Sequence, residues 1–121
     1  MQHDNTVIYQ RSLELIRLIK AVVDELPPGY AFLADQLRRA ASSIALNFGE
    51  GYGKSTPAEQ RRYFRIARGS AYEVASALDV GLEFGAVRSN LHAVGKELCD
   101  HLAAMLTRFR NPACRKPGNS R

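Results

Sequence analysis

The sequence predicts an all-α protein, an antiparallel up-down-up-down four-helix bundle over residues 1–110 with a basic, disordered tail over residues 111–121. Three observations predict it. Apolar residues recur at spacings of three and four along four long stretches, no stretch alternates in the manner of a strand, and the connections are short and rich in proline or glycine. A chain of 121 residues buries roughly two thirds of its unfolded surface in a single core, so neither a metal nor a disulfide is needed to hold such a fold.

The first helix is expected over residues 6–26, with Ile8, Leu15, Ile19, Val22 and Leu26 on its inner seam. Ile16, Leu18 and Val23 widen its apolar arc to about 160°, beyond the ~100° stripe of a simple surface helix, so one side is expected to meet another subunit. Pro27-Pro28-Gly29 stops it, because proline lacks the amide donor and pushes its predecessor out of helical dihedrals. The second helix runs from about Ala31 to Gly49 or slightly beyond, with Leu33, Leu37, Ala40, Ile44 and Phe48 inward. The glycines of Gly49-Glu50-Gly51-Tyr52-Gly53 make regular helix costly, and the chain is expected to turn there. Thr56-Pro57-Ala58-Glu59 then reads as a capping box with proline in the first helical position. The third helix covers 57–84, with Phe64, Ala67, Ala71, Val74, Leu78 and Gly81 inward, and stops at Gly85. The fourth covers 89–110, capped by Ser89 and ended by Asn111-Pro112, with Leu91, Val94, Leu98, Leu102, Met105 and Phe109 inward.

Composition and spacing exclude several functions. Apolar residues make up 45% of the chain, yet no run approaches the roughly 20 needed to cross a bilayer, so no membrane role is expected. An acid at Asp4 stands where a secretory signal would be basic, and the expected location is cytoplasmic, with Cys99 and Cys114 as free thiols. Lys54-Ser55 follows a glycine, but Phe48 replaces the first glycine of a phosphate-binding loop and a helix precedes it where a strand should. No Glu-x-x-His pair exists for a metal inside a bundle. His92 and His101 project from opposite faces of the fourth helix, with His101 expected at the core margin beside Glu97. Cys99 has no basic cluster before it to activate it. No catalytic residue, metal or cofactor is therefore expected, and function should rest on binding.

Two features remain. Arg39, Ser43, Asn47 and Glu50 form a polar stripe along the edge of the second helix's seam, with Glu73 on the third helix as a candidate partner. Such a stripe serves as a structural network fixing helix register, as a ligand or partner contact, or as a solvated edge. Arg61, Arg65 and Arg68 fall within about 60° on the outer face of the third helix, with Arg62 to one side. Cations in the first half of a helix oppose its dipole, so helix stability does not explain them. They form a solvated face, subunit salt bridges to acids such as Asp24, or a surface for nucleic acid. Lys54 stands close by, and Arg115, Lys116 and Arg121 in the tail supply more than half of the net charge of +5.

At these residues the chain resembles the four-helix-bundle proteins encoded in intervening sequences of bacterial 23S ribosomal RNA genes. The matching text is Gln36-Leu37-Arg38-Arg39-Ala40-Ala41-Ser42-Ser43-Ile44, then Asn47-Phe48-Gly49-Glu50-Gly51-Tyr52-Gly53-Lys54, then Phe64-Arg65-Ile66-Ala67-Arg68-Gly69-Ser70 with Glu73. Phe48 and Gly49 depart from the family's usual Asn-Ile-Ala-Glu-Gly while Asn47, Glu50 and Gly51 keep it. The resemblance spans about residues 6–107 and implies a homopentameric ring with no known enzymatic activity. It also implies kinship with the accessory proteins of diversity-generating retroelements, basic pentamers that bind nucleic acid and a reverse transcriptase. The expectation is an oligomer that binds RNA backbone without strong sequence preference, because stacking aromatics are absent among the arginines apart from Tyr72. The competing expectation is an oligomeric adaptor for a protein partner.

Overall fold

The computed structural model describes residues 3–109 and consists of four helices, α1 (His3–Glu25), α2 (Ala31–Tyr52), α3 (Pro57–Glu83) and α4 (Ser89–Arg108), with no strand among the described residues. α1 packs on α2 and α4, and α3 packs on α2 and α4, so the helices stand at the corners of a square around one core. Partner numbers fall along α3 as they rise along α2: Arg39 faces Glu73, Ser43 faces Ser70, and Phe48 faces Phe64. The expected tail over 111–121, with Arg115 and Lys116, lies outside the described residues, as do Cys114 and the Asn111-Pro112 stop.

The seams of α1 to α3 are those the periodicity indicates. Leu15, Leu37, Ile44, Phe48, Val74, Leu78 and Leu102 are all fully buried in a common cluster. On α1 the wide apolar arc is accounted for only in part within the chain. Ile16 and Val23 face a groove beside α2, while Leu18 lies against the position of Gly95 on α4. A helix that packs on two neighbours needs a wider stripe than one lying on a single surface.

Three expectations are corrected. α2 does not stop at the glycines but continues through Gly49 and Gly51 to Tyr52. Gly51 is buried where a methyl group would stand 2.8 Å from both Tyr63 Cβ and Phe64 Cε1, so its small size lets α2 approach α3 closely. Ser89 does not cap α4: the capping position is Arg88, which has no side-chain cap bond and instead holds Glu25 at the end of α1, with Nε and Nη2 donating at 2.8 and 2.9 Å. Val94 does not face inward but is exposed, and Gly95 takes the buried position, packed against Leu78. α4 ends at Arg108, and Phe109 just beyond it meets Phe48 and Phe64 edge-on, closing the core at that end.

The start of α3 forms as the sequence indicates. The Glu59 amide donates to Thr56 Oγ1 at 3.2 Å, and the Thr56 hydroxyl donates to the Glu59 carboxylate at 3.1 Å. Gln60, buried behind this cap, donates to the carbonyls of Lys54 and Tyr52 and fixes the α2–α3 turn. Gly85 adopts φ +75, a conformation open to glycine, and ends α3.

Candidate nucleic-acid interface

The helical repeat sets Arg61, Arg65 and Arg68 along the side of α3 that turns towards α4. Arg61 and Arg65 are exposed and form no ion pair or side-chain hydrogen bond among the described residues. Arg68 differs. Its guanidinium reaches across to α4 and donates to Thr107 Oγ1 at 3.2 Å, while the Thr107 hydroxyl donates to the Ala103 carbonyl at 2.8 Å. This bond brings the last turn of α4 beside the arginine row, and the next residue, Arg108, adds an exposed cation there.

At the foot of the same helix, Tyr63 is flanked by two cations. Lys54 Nζ lies 5.3 Å and the Arg62 guanidinium 5.0 Å from the ring centroid. Lys54 is also 3.2 Å from Glu50, whose hydrogen bond holds the ammonium above its ordinary pKa. One acid of the α3/α4 side, Asp79, is engaged. Asp79 accepts from Lys96 Nζ at 2.8 and 2.9 Å, and His92 Nε2 lies 2.7 Å from it. Hydrogen bonds from Lys96 and then from His92 hold the Asp79 carboxyl below the usual carboxylate range.

The polar stripe of α2 divides in two. Its buried part is a network: Ser70 Oγ donates to Ser43 Oγ at 2.8 Å, and Asn47 Nδ2 donates to both the hydroxyl and the carbonyl of Ser43 at 2.9 Å. Ser70 was not among the residues singled out from sequence, although it lies one position from the α3 seam. Arg39 and Glu73 do meet, but at 3.9 Å and on the exposed rim, with Arg39 also donating to Gln36 at 2.9 Å. Glu50 pairs with Lys54 and takes no part in the Ser43 network. His101 is exposed and makes no hydrogen bond to Glu97, contrary to the expected core-margin pair.

Nucleophile and metal chemistry have little to work with among the described residues. Burial pushes the Cys99 thiol up to about 12, which leaves it protonated and inert at neutral pH. No group of three or more His, Cys, Asp or Glu side chains is placed to hold a metal ion, and no helix is long and apolar enough to cross a membrane.

Fold and surface together define a class, a small four-helix protein with an arginine-lined side and a sealed core. Residues 4–108 match the family described as 23S rRNA-intervening sequence protein, and the chain belongs to that family. A protein of unknown function from the S23 ribosomal protein family of Bacteroides thetaiotaomicron VPI-5482, solved at 1.70 Å, has a similar fold. The TM-score is 0.76 at 18% identity, covering 82% of this chain and 94% of that one. At that identity the likeness concerns the fold alone. No curated protein is a significant match.

Proposed function

We propose that this protein is a non-enzymatic, cytoplasmic, homo-oligomeric binding protein, an up-down-up-down bundle assembled as a pentamer, that grips RNA backbone through the α3/α4 side. The observation that carries this reading is the pair Arg61 and Arg65, exposed and, among the described residues, without an acidic partner. Unpaired guanidinium groups offer donors to phosphate oxygens; Arg108 adds to the charge of this side, and Arg115, Lys116 and Arg121 add to the net charge of the sequence. Assembly into a ring multiplies a weak site, because linked contacts raise avidity without new chemistry.

The test is titration of the purified protein with hairpin RNA at two salt concentrations. Binding should appear at about 50 mM salt and fall steeply with added salt, and Arg61→Glu with Arg65→Glu should weaken it. An adaptor for a protein partner is the second reading, favoured by the exposed apolar side chains Phe32, Ile66, Tyr72 and Val80. It takes first place if the wild-type protein binds no hairpin or duplex RNA at low salt.

A further inference from the structure

Tyr72 on α3 is 56% exposed and, among the described residues, makes no hydrogen bond or ring contact. The helical repeat sets it inside the same arc of about 60° as Arg61, Arg65 and Arg68, about 6 Å along the axis beyond Arg68. Three cations are thus followed by an exposed ring on one face. Between Arg61 and Tyr72 the sequence holds no acid. A solitary exposed tyrosine needs no explanation, but one that ends a row of guanidinium groups presents a flat apolar face where an anionic strand would pass.

The space beside that ring is open. Tyr72 and Gly69 line a groove of about 590 Å³ between α2 and α3, a volume in the range of small-ligand sites. A helical side chain lies back over the turn before it, which for Tyr72 is the turn that contains Arg68 and Gly69. Among the described residues a methyl group built on Gly69 would meet nothing within 4 Å, so glycine relieves no crowding there, unlike Gly51, Gly81 and Gly95. It weakens the helix relative to alanine, and what it provides is a bare flank beside the tyrosine ring. Gln36, Glu73 and Ser76 bring polar groups to the same groove. Glu73 meets Arg39 only at 3.9 Å, so its carboxylate disfavours phosphate inside the groove, whereas a neutral base offers donors and acceptors that these groups can meet. Charge thus separates the two parts of a nucleotide, with backbone along the arginine row and base in the groove.

We propose that Tyr72 and the bare flank at Gly69 form a stacking subsite for an unpaired nucleobase of the RNA strand whose phosphates lie on Arg61, Arg65 and Arg68. The inference rests on the RNA-backbone reading above and names its substrate class, RNA with unpaired nucleotides, in place of fully paired duplex. A base inside a duplex has both faces covered by its neighbours, so only an unpaired one can lie against the ring. Every base has a stacking face, so the subsite adds affinity without reading sequence. Arg68 donates to Thr107 at 3.2 Å, which keeps its guanidinium one turn from the ring and holds the phosphate and base contacts at a constant separation.

The experiment measures affinity for three RNAs that share one hairpin stem, with far-ultraviolet circular dichroism as the control for folding. The first is blunt, the second carries an unpaired adenosine tail, and the third carries an abasic tail of the same length, which keeps every phosphate and removes every base. Wild type should bind the adenosine tail about tenfold more tightly than the abasic one. Tyr72→Ala, and Gly69→Leu, which fills the bare flank without touching the core, should each bring the adenosine tail down to the abasic level. The salt slope, which reports the phosphate contacts, should not change in either, and Tyr72→Phe should keep the preference. Arg61→Glu with Arg65→Glu should instead weaken binding of all three RNAs. If wild type binds RNA but does not distinguish the two tails, or if Tyr72→Ala or Gly69→Leu keeps the preference, the subsite is overturned and the backbone reading stands. If wild type binds none of the three RNAs at low salt, both fall, and Tyr72 and the groove pass to the protein-partner reading.

Discussion

Gly49 and Gly51 sit two residues apart in the last turns of α2, and the structure assigns opposite signs to the same substitution at each. Gly49 is exposed, and an added methyl meets nothing within 4 Å. Gly49→Ala should therefore only restrict the unfolded chain and improve helix propensity, for a gain of about 0.5–1 kcal/mol. At Gly51 the same gain is opposed by overlap, because the methyl would lie 2.8 Å from Tyr63 Cβ and from Phe64 Cε1. Neither neighbour can retreat easily. Tyr63 Cβ is fixed to the backbone of α3, and the Phe64 ring is stacked on Phe48 at 5.4 Å and held edge-on by Phe109 at 5.3 Å. Overpacking of a filled core costs about 1–3 kcal/mol, so Gly51→Ala should destabilise by about 1–2 kcal/mol net. Urea unfolding followed by circular dichroism, at one fixed protomer concentration so that assembly contributes equally, measures both. If Gly51→Ala raises the midpoint as Gly49→Ala does, α2 and α3 are not in the close contact described.

Ser70→Ala removes a hydroxyl that is 4% exposed and donates to Ser43, and should cost about 1 kcal/mol. A double-mutant cycle with Ser43→Ala should show coupling between the two sites, and independent losses would refute the network. The Asp79 cluster should shape the acid limb of the stability profile. Its folded-state pKa lies below the unfolded value, so its contribution is present above the ordinary carboxylate range and is lost as pH falls through the folded value. Because the carboxylate is half exposed, that contribution is at most about 1 kcal/mol. Asp79→Asn should flatten the profile below about pH 4 and lower stability at neutral pH, and an unchanged profile would show the cluster to be inert.

The sequence revealed most where periodicity and stop signals agree. The inner residues of α1, α2 and α3 are read correctly because burial follows the 3.6-residue repeat, and Thr56-Pro57-Ala58-Glu59 forms its cap because all its parts are local. Two of the errors share a source, which is that a glycine's role depends on what faces it. Gly51 looks like a breaker until Tyr63 and Phe64 are seen against it, and Val94 looks like a core residue until Gly95 is found filling that place beside Leu78. Ser89 fails as a cap because it is already the first residue of α4 and Arg88 holds the capping position, where its side chain pairs with Glu25, a residue 63 positions away that no local pattern reports. The candidate surface was legible as a row of arginines, whereas the sequence gives no sign that Arg68 is tied to Thr107, 39 positions on.

That tie separates the arginines by experiment. Arg68 donates to Thr107 across α3 and α4, so Arg68→Ala should lower stability by up to about 1 kcal/mol through loss of an exposed hydrogen bond. Arg61 and Arg65 make no ion pair or side-chain hydrogen bond among the described residues, and Arg61→Glu with Arg65→Glu places acids in the first half of α3, where the helix dipole favours them. Stability should then stay within about 0.5 kcal/mol of wild type or rise slightly. On an RNA hairpin the ordering reverses. If each of the two arginines neutralises one phosphate, the double variant should reduce the log–log salt slope by about 1.4–1.8, a larger change than Arg68→Ala produces. Deleting residues 111–121 should lower affinity in part and leave the contribution of Arg61 and Arg65 in place. A double variant that loses stability but keeps the wild-type salt slope would place these arginines in contacts between subunits or with a protein partner.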